Sequence, residues 1–234
     1  MESSKKQGGP NLIYNPTFTI RKMDPVQIAE ALRPFVAGLS GDQLSGISTY
    51  LDMLLRWNAR TNLTAIRDTE TMVTRHFGES LFAAKTLFPN ATENSHVIDV
   101  GSGAGFPGLP MKVWAPNIQL TLIESNYKKA TFLREVVRAL ELDRIEVFTG
   151  RAEAYAGTAN AVTLRAVERF ETVLQTAAKL VQPKGVICLL ITASQYETAT
   201  SRPGFSWQDP IALPQSESRI LLVGTSNQEL KEPK

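Results

Sequence analysis

The segment from His96 to Gly108, HVIDVGSGAGFPG, constrains the fold of this chain most. A short apolar run breaks into four glycines, Gly101, Gly103, Gly105 and Gly108, and a helical pattern follows. Glycine accepts φ > 0 and has no side chain, so such a loop turns tightly and lets a ligand lie against the backbone. The expected geometry is a strand, a glycine-rich turn and a helix start with free N–H groups. A turn without a ligand needs one glycine rather than four. The segment therefore points to a site for an adenosine-containing cofactor.

Two cofactor classes fit. Gly103-x-Gly105-x-x-Gly108 matches the dinucleotide fingerprint G-x-G-x-x-G. With Asp99 and Gly101 in front, the string becomes D-x-G-x-G-x-G, the usual first motif of S-adenosylmethionine (SAM) methyltransferases. Residues 1–95 precede the strand, whereas a dinucleotide fold often opens its chain. The next apolar, β-branched run, Gln119-Leu-Thr-Leu-Ile123, ends in Glu124. An acidic residue about 20 positions after the glycines, at the tip of the second strand, can accept both ribose hydroxyls. Both cofactor classes use that device.

Seven signatures, the glycine segment among them, follow one another in order. They are Asn62-Leu-Thr-Ala-Ile66, Arg75-His76-Phe77, the glycine segment Asp99 to Gly108, Lys128-Lys129, Phe132-Leu-Arg-Glu135, Gly150-Arg-Ala-Glu153 and Arg165-Ala-Val167. This series, covering roughly residues 40–190, resembles the bacterial small-subunit rRNA methyltransferase family RsmG, also called glucose-inhibited division protein B. The resemblance implies a SAM-dependent enzyme that methylates N7 of one guanosine in 16S rRNA. Its partner would be 16S rRNA or the 30S subunit. It also implies that Arg165 touches the cofactor, gripping its carboxylate or a target phosphate bidentately. One departure stands out. Where many members carry a lysine after the fifth strand, this chain reads Ile191-Thr-Ala-Ser-Gln195, so the lysine expected near Ala193 is missing.

The chain has 234 residues, enough for one sizeable α/β domain with additions. No run of 18 apolar residues is present, and the N-terminus lacks an apolar signal segment, so a cytoplasmic protein without a membrane span is expected. The single cysteine, Cys188, sits in the apolar run 186–191 and is expected to be a buried strand residue. Two histidines and one cysteine cannot build a common zinc site, so no metal is expected. The net charge is only +2, modest for a nucleic-acid binder. Its placement is uneven. Arg56, Arg60, Arg67 and Arg75 precede the glycine loop, and Lys128, Lys129, Arg134 and Arg138 follow the second strand. Converging at the cofactor mouth, they would make a phosphate-binding rim.

Residues 1–23 are expected to be a flexible tail in which Leu12-Ile-Tyr14 and Phe18-Thr-Ile20 are docking candidates. Residues 24–90 form an N-terminal helical extension, 91–224 the SAM-binding domain and 225–234 a polar tail. Asp24-Pro25 starts a helix predicted to reach about Gly38. Ser40-Gly-Asp-Gln43 has the capping-box form and opens a helix ending near Asn58. A third helix spans about Thr69 to Leu87. From residue 96, apolar runs at 96–100, 119–123, 144–148, 160–164 and 185–191 alternate with helical patterns, notably 126–140 and 170–181. Strand-like runs follow at 205–213 and 218–224. This is the pattern of a Rossmann-like α/β class I methyltransferase: a mostly parallel seven-stranded sheet with a closing antiparallel hairpin. Ligands bind such sheets at the carboxyl ends of the strands.

Position then assigns the candidate contacts. Gly101 and Gly103 meet the methionine part of SAM, and Phe106 lines the methionine or ribose pocket. Glu124 takes the ribose. Ala152 and Glu153, after the third strand, hold the adenine. Arg165 ends the fourth strand at the reaction centre. Asn62, Arg67, Arg75, His76 and Lys129 are the candidates for RNA contact, although His76 also fits a core histidine and Asn62 a helix cap. Guanine N7 carries a free lone pair, so the chemistry needs alignment rather than a general base. Positioning of that kind can supply about 7–11 kcal/mol. No catalytic residue beyond Arg165 is expected, and the chain is expected to act as a monomer. Three other readings stay open: a SAM methyltransferase with a small-molecule or protein acceptor, a non-catalytic RNA-binding protein on the same fold, and an NAD oxidoreductase.

Overall fold

The computed structural model describes residues 23–92 and 94–229. The expected docking segments near the N-terminus and residues 230–234 of the expected polar tail lie outside the described residues.

The extension is helical. Helix α1 (Pro25–Leu32) is capped by Asp24, whose carboxylate accepts from the Gln27 amide at 2.9 Å. It stops short of Gly38 because Pro34 has no N–H to continue the ladder. Helix α2 (Gly41–Thr61) opens on the expected Ser40/Gln43 capping box and runs past Asn58. Asn62 ends it with φ 28°. The third predicted helix is one run of three pieces: α3 (Thr69–Met72), a π-helical stretch (Val73–Gly78) and α4 (Glu79–Leu87). The wide turn shows directly in the Glu79 N–H, which donates to the carbonyl of Thr74, five residues back.

The sheet follows. Its strands are β1 (His96–Val100), β2 (Gln119–Glu124), β3 (Ile145–Thr149), β4 (Ala159–Arg165), β5 (Val181–Thr192), β6 (Phe205–Trp207), β7 (Ile211–Ala212) and β8 (Arg219–Ser226). They lie in the order β3-β2-β1-β4-β5-β8-β6, with β7 paired to β8. Strands β1 to β5 are parallel, and β8 runs antiparallel to β5, β6 and β7. Helices α5 (Gly108–Trp114), α6 (Tyr127–Ala139) and α7 (Phe170–Lys179) make the crossovers, and α8 (Tyr196–Thr200) follows β5. The doubly wound sheet is as expected, and three boundaries differ. The run 205–213 divides into β6 and β7 around Pro210, which has no N–H for a ladder. Strand β5 starts at Val181, where the helical pattern was read as continuing. A bulge opposite Asn160 lets it start there, since the register steps from Ala159↔Val181 to Ala161↔Val186. Thr225 and Ser226, assigned to the tail, belong to β8, and Ser226 pairs with Phe205.

Successive strand residues face opposite sides, which gives two cores. Val97, Leu120, Leu122 and Cys188 pack with Ile28, Tyr50, Leu54 and Phe77 of the extension. Ile98, Val100, Ile123 and Leu189 pack with Leu174 and Ala177 of α7. The extension thus completes one face of the sheet. Cys188 is fully buried, and burial pushes its thiol up to about 12, in keeping with an inert strand residue.

Candidate active site

A cleft of about 640 Å³ opens along the carboxyl edge of the parallel strands. This is the size range of a cofactor site. Its floor is the glycine loop between β1 and α5. Gly101 and Gly103 line the cleft with φ of 70° and 58°, a region that L side chains rarely enter. The other two glycines serve packing. A Cβ on Gly105 would collide with the Tyr50 hydroxyl and stand 2.5 Å from Leu109 Cδ1. One on Gly108 would stand 2.7 Å from Leu122 and 2.9 Å from the Asp99 carboxylate.

The helix-start amides do not stand free as expected. Gly108 N–H donates to Asp99 Oδ2 at 3.2 Å, and Leu109 N–H to the Gly105 carbonyl at 2.8 Å. The reason is the buried Asp99, whose other oxygen accepts from Thr163 Oγ1 at 2.9 Å. Burial outweighs these bonds and lifts its carboxyl to about 6. Asp99 therefore binds β1, β4 and α5 together beneath the loop.

Glu124 lines the cleft at the tip of β2. Its Oε2 accepts from the Gly103 amide at 2.8 Å and its Oε1 from the Asn126 amide at 2.6 Å. Each carboxylate oxygen keeps a further lone pair for a ligand hydroxyl. Ala152 and Glu153 line the cleft from the turn after β3, and Lys129 lines it from α6.

The opposite wall comes from the extension. Phe106 is sandwiched between Tyr50 (5.3 Å, 4° between planes) and His76 (4.8 Å, 18°). Phe77 meets both Tyr50 and Phe106 edge-on at 5.0 Å. The Tyr50 hydroxyl donates to the Ala104 carbonyl, so α2 braces the loop directly. Arg165 lines the cleft, yet its guanidinium is held by three partners: Glu79 Oε2 at 3.1 Å, the Arg75 carbonyl at 2.6 Å and His76 Nδ1 at 3.0 Å. Glu79 is 1% exposed and also accepts from Arg219 Nε of β8 at 2.6 Å. Burial and the neighbouring guanidinium groups depress His76 to about 3, so it is neutral.

The protein matches, over residues 43–208, the family described as GidB: rRNA small subunit methyltransferase G. The chain belongs to this family. It is 36% identical over 198 residues to the ribosomal RNA small subunit methyltransferase G of Stenotrophomonas maltophilia strain K279a, covering 81% of this chain and 91% of that one. To the same-named protein of Chloroflexus aggregans it is 37% identical over 201 residues, covering 80% and 83%. Among solved structures, it resembles Pyrococcus horikoshii TYW2 in complex with MeSAdo (TM-score 0.54, 17% identity, 65% and 63% covered). It also resembles TrmN from Thermus thermophilus (TM-score 0.53, 16% identity, 66% and 53% covered). The fold is therefore the Rossmann-like methyltransferase fold, on an rRNA methyltransferase family member.

The candidates for RNA contact separate in space. His76 and Lys129 line the cleft. Asn62 and Arg67 are exposed and bonded to each other, Arg67 NH2 donating to Asn62 Oδ1 at 2.7 Å. They flank the loop whose Leu63 and Thr64 line the cleft. Arg75 gives its carbonyl to Arg165, and its own Nε is buried without a partner. Arg134 of the anticipated basic rim is bonded to β3 instead, through Val147 O at 3.1 Å and Thr149 Oγ1 at 2.7 Å. Arg151 and Arg169 join the cleft lining without having been singled out in the sequence. Ala193, where the family lysine is missing, is exposed in a turn after β5 and is not part of that lining. Tyr50, Thr64 and Glu79 were also not anticipated. Tyr50 lies on the apolar face of its helix, and a tyrosine there needs a partner for its hydroxyl. Among the described residues, no group of three or more His, Cys, Asp or Glu side chains is placed to hold a metal ion. No helix there is long and apolar enough to cross a membrane.

Proposed function

We propose that this protein uses SAM to methylate N7 of a guanosine in the 16S RNA of the small ribosomal subunit, in the cytoplasm. The observation that carries this reading is the division of the cleft. One half has cofactor chemistry: the backbone of Gly101 and Gly103, the carboxylate of Glu124 and the turn at Ala152 and Glu153. The residues fit SAM in that order, with methionine over the glycines, ribose at Glu124 and adenine at Ala152. Bound there, SAM would supply a methyl group on a cationic sulfur, and transfer of that methyl to N7 would leave the broken carbon–sulfur bond's electron pair on sulfur.

The other half suits an acceptor that has no proton to lose. His76, the histidine on that wall, has both nitrogens engaged and titrates near 3. Guanine N7 has an in-plane lone pair ready to react, so alignment suffices. To be reached, the base leaves its stack, and loops or single strands allow that at least cost. Lys129, Arg151 and Arg169 at the cleft supply cationic contacts for the backbone.

Incubation with radiolabelled SAM and unmethylated 30S subunits tests this directly. The expected product is 7-methylguanosine at one position of 16S RNA. Label in another nucleoside, or no transfer while SAM binds normally, would overturn the reading.

A further inference from the structure

Thr64 lines the cleft and is joined through His76 to Arg165 at the end of β4. Across the sheet the strand ends run β3, β2, β1, β4. On the reading above, adenosine would lie over β3 and β2 and methionine over β1. The remaining wall, beside β4, includes Leu63, Thr64, His76, Phe106 and Arg165, with residues 166–169 continuing it past the strand end.

A one-way set of hydrogen bonds fixes the Thr64 hydroxyl there. A guanidinium only donates. Arg165 NH1 lies 3.0 Å from His76 Nδ1, so that nitrogen is the acceptor and the ring proton sits on Nε2. Nε2 lies 2.8 Å from Thr64 Oγ1 and therefore donates to it. The amide of Ile66 donates to the same oxygen at 3.2 Å. A hydroxyl oxygen has two acceptor lone pairs. Both are occupied, so its hydrogen is what Thr64 has left to offer. The relay cannot reverse, because Glu79 and the Arg75 carbonyl hold Arg165 in place.

We propose that the Thr64 hydroxyl donates to O6 of the target guanine and so sets base identity, with His76 and Arg165 as positioning residues. Beside N7, guanine presents the O6 acceptor, whereas adenine presents an N6 amine that donates. A donor locked in this direction accepts the first and rejects the second. The inference rests on the guanosine-N7 reading above and adds the group that selects the base.

The test uses the full chain with 30S subunits reconstituted around 16S RNA. The nucleotide that the wild type labels is either guanosine or 2,6-diaminopurine riboside, which carries an amine in place of O6. Single-turnover methyl transfer is measured on each. Wild type favours guanosine by roughly tenfold or more, the usual effect of leaving a donor facing a donor. Thr64→Val slows the guanosine substrate by roughly tenfold and does not slow the diaminopurine substrate, and wild-type SAM affinity shows that the variant is folded. Thr64→Ser keeps the wild-type ratio. His76→Phe keeps the ring stack but frees an acceptor on Thr64, so the ratio narrows. Equal slowing of both substrates by Thr64→Val, or an unchanged ratio, would overturn the donor role while 7-methylguanosine formation upholds the function. A wild type that labels a different nucleoside would overturn both.

Discussion

Two buried residues with opposite titrations meet around the cleft. Asp99 titrates near 6 in the folded protein against its ordinary 3.8, so the fold holds its proton more tightly than the unfolded chain does. That contribution is complete below about pH 4 and is lost as pH rises through 6. His76 is displaced the other way, to about 3 from 6.5. Its neutral form supports the fold above pH 6.5, and that support is lost as pH falls toward 3. Between about pH 4 and 6 the two slopes oppose each other. In Asp99→Asn the opposing slope is gone while those of His76 and the likewise lowered His96 remain, so stability falls on acidification through this window more steeply than in wild type. In His76→Phe the His76 slope is gone, so on acidification through this window stability falls less than in wild type, or rises. Urea midpoints taken across the window check both signs, and parallel profiles for all three proteins would refute the assignment. Tyr50→Phe tests the brace under the glycine loop. It leaves the Ala104 carbonyl without its donor, an expected cost of about 1–3 kcal/mol, and slackens the loop. Equilibrium denaturation and SAM titration should both register the loss. A variant that kept wild-type stability and SAM affinity would remove Tyr50 from the site.

Among the elements, the π-helical stretch sets the geometry of the acceptor wall. It carries Arg75 and His76 and delivers Glu79, at the start of α4, into a buried position between Arg165 of β4 and Arg219 of β8. Glu79→Gln leaves two guanidinium groups without their counter-charge. Breaking a buried pair in this way costs about 3–5 kcal/mol. Chemical denaturation of the variant checks the figure, and a loss below about 1 kcal/mol would show that solvent already screens the cluster. These elements also show what could be read in advance. Strands β1 to β5, the glycine loop and Glu124 were legible because a short apolar run, a glycine cluster and an acidic strand tip are local signals. The cap of α1 was legible for the same reason, and its end was missed only by the reach of Pro34. The π-helical turn leaves no mark on a 3.6-residue pattern. Glu79 looks like an ordinary solvated helix carboxylate, and what buries it are partners 86 and 140 residues away. Arg165 was placed correctly at its strand end, but its hydrogen bonds to the extension depend on how that helix docks. The sequence order of the motifs does not encode such docking.

At the scale of the whole molecule, the division into an extension and a catalytic domain does not describe how the protein is held together. Ile28, Tyr50, Leu54 and Phe77 share one core with Val97, Leu122, Leu190 and Val223 of the sheet. Cross-links reinforce that core: Trp57 Nε1 donates to Glu135 of α6 at 3.0 Å, and Arg219 of β8 is bound to Glu79. Without residues 23–90, one face of the sheet would stand exposed and the cleft would lose a wall. The protein should therefore unfold as a single cooperative unit. The tryptophans report on separate parts of it. Trp57 and Trp114 sit on the extension's side of the sheet, and Trp207 of β6 packs in the core on the other face. Variants retaining Trp57 alone or Trp207 alone should show coincident urea transitions, with equal midpoints and slopes, and a fragment beginning near residue 91 should fail to fold. A Trp57 transition at clearly lower urea than that of Trp207 would mean that the extension docks on a sheet stable without it. The acceptor wall would then form and dissolve independently of the cofactor half. Coincidence would mean instead that the extension and the cofactor site form and dissolve together, so a substitution in the helices would lower SAM affinity without touching the cofactor once it left the native state only fractionally populated.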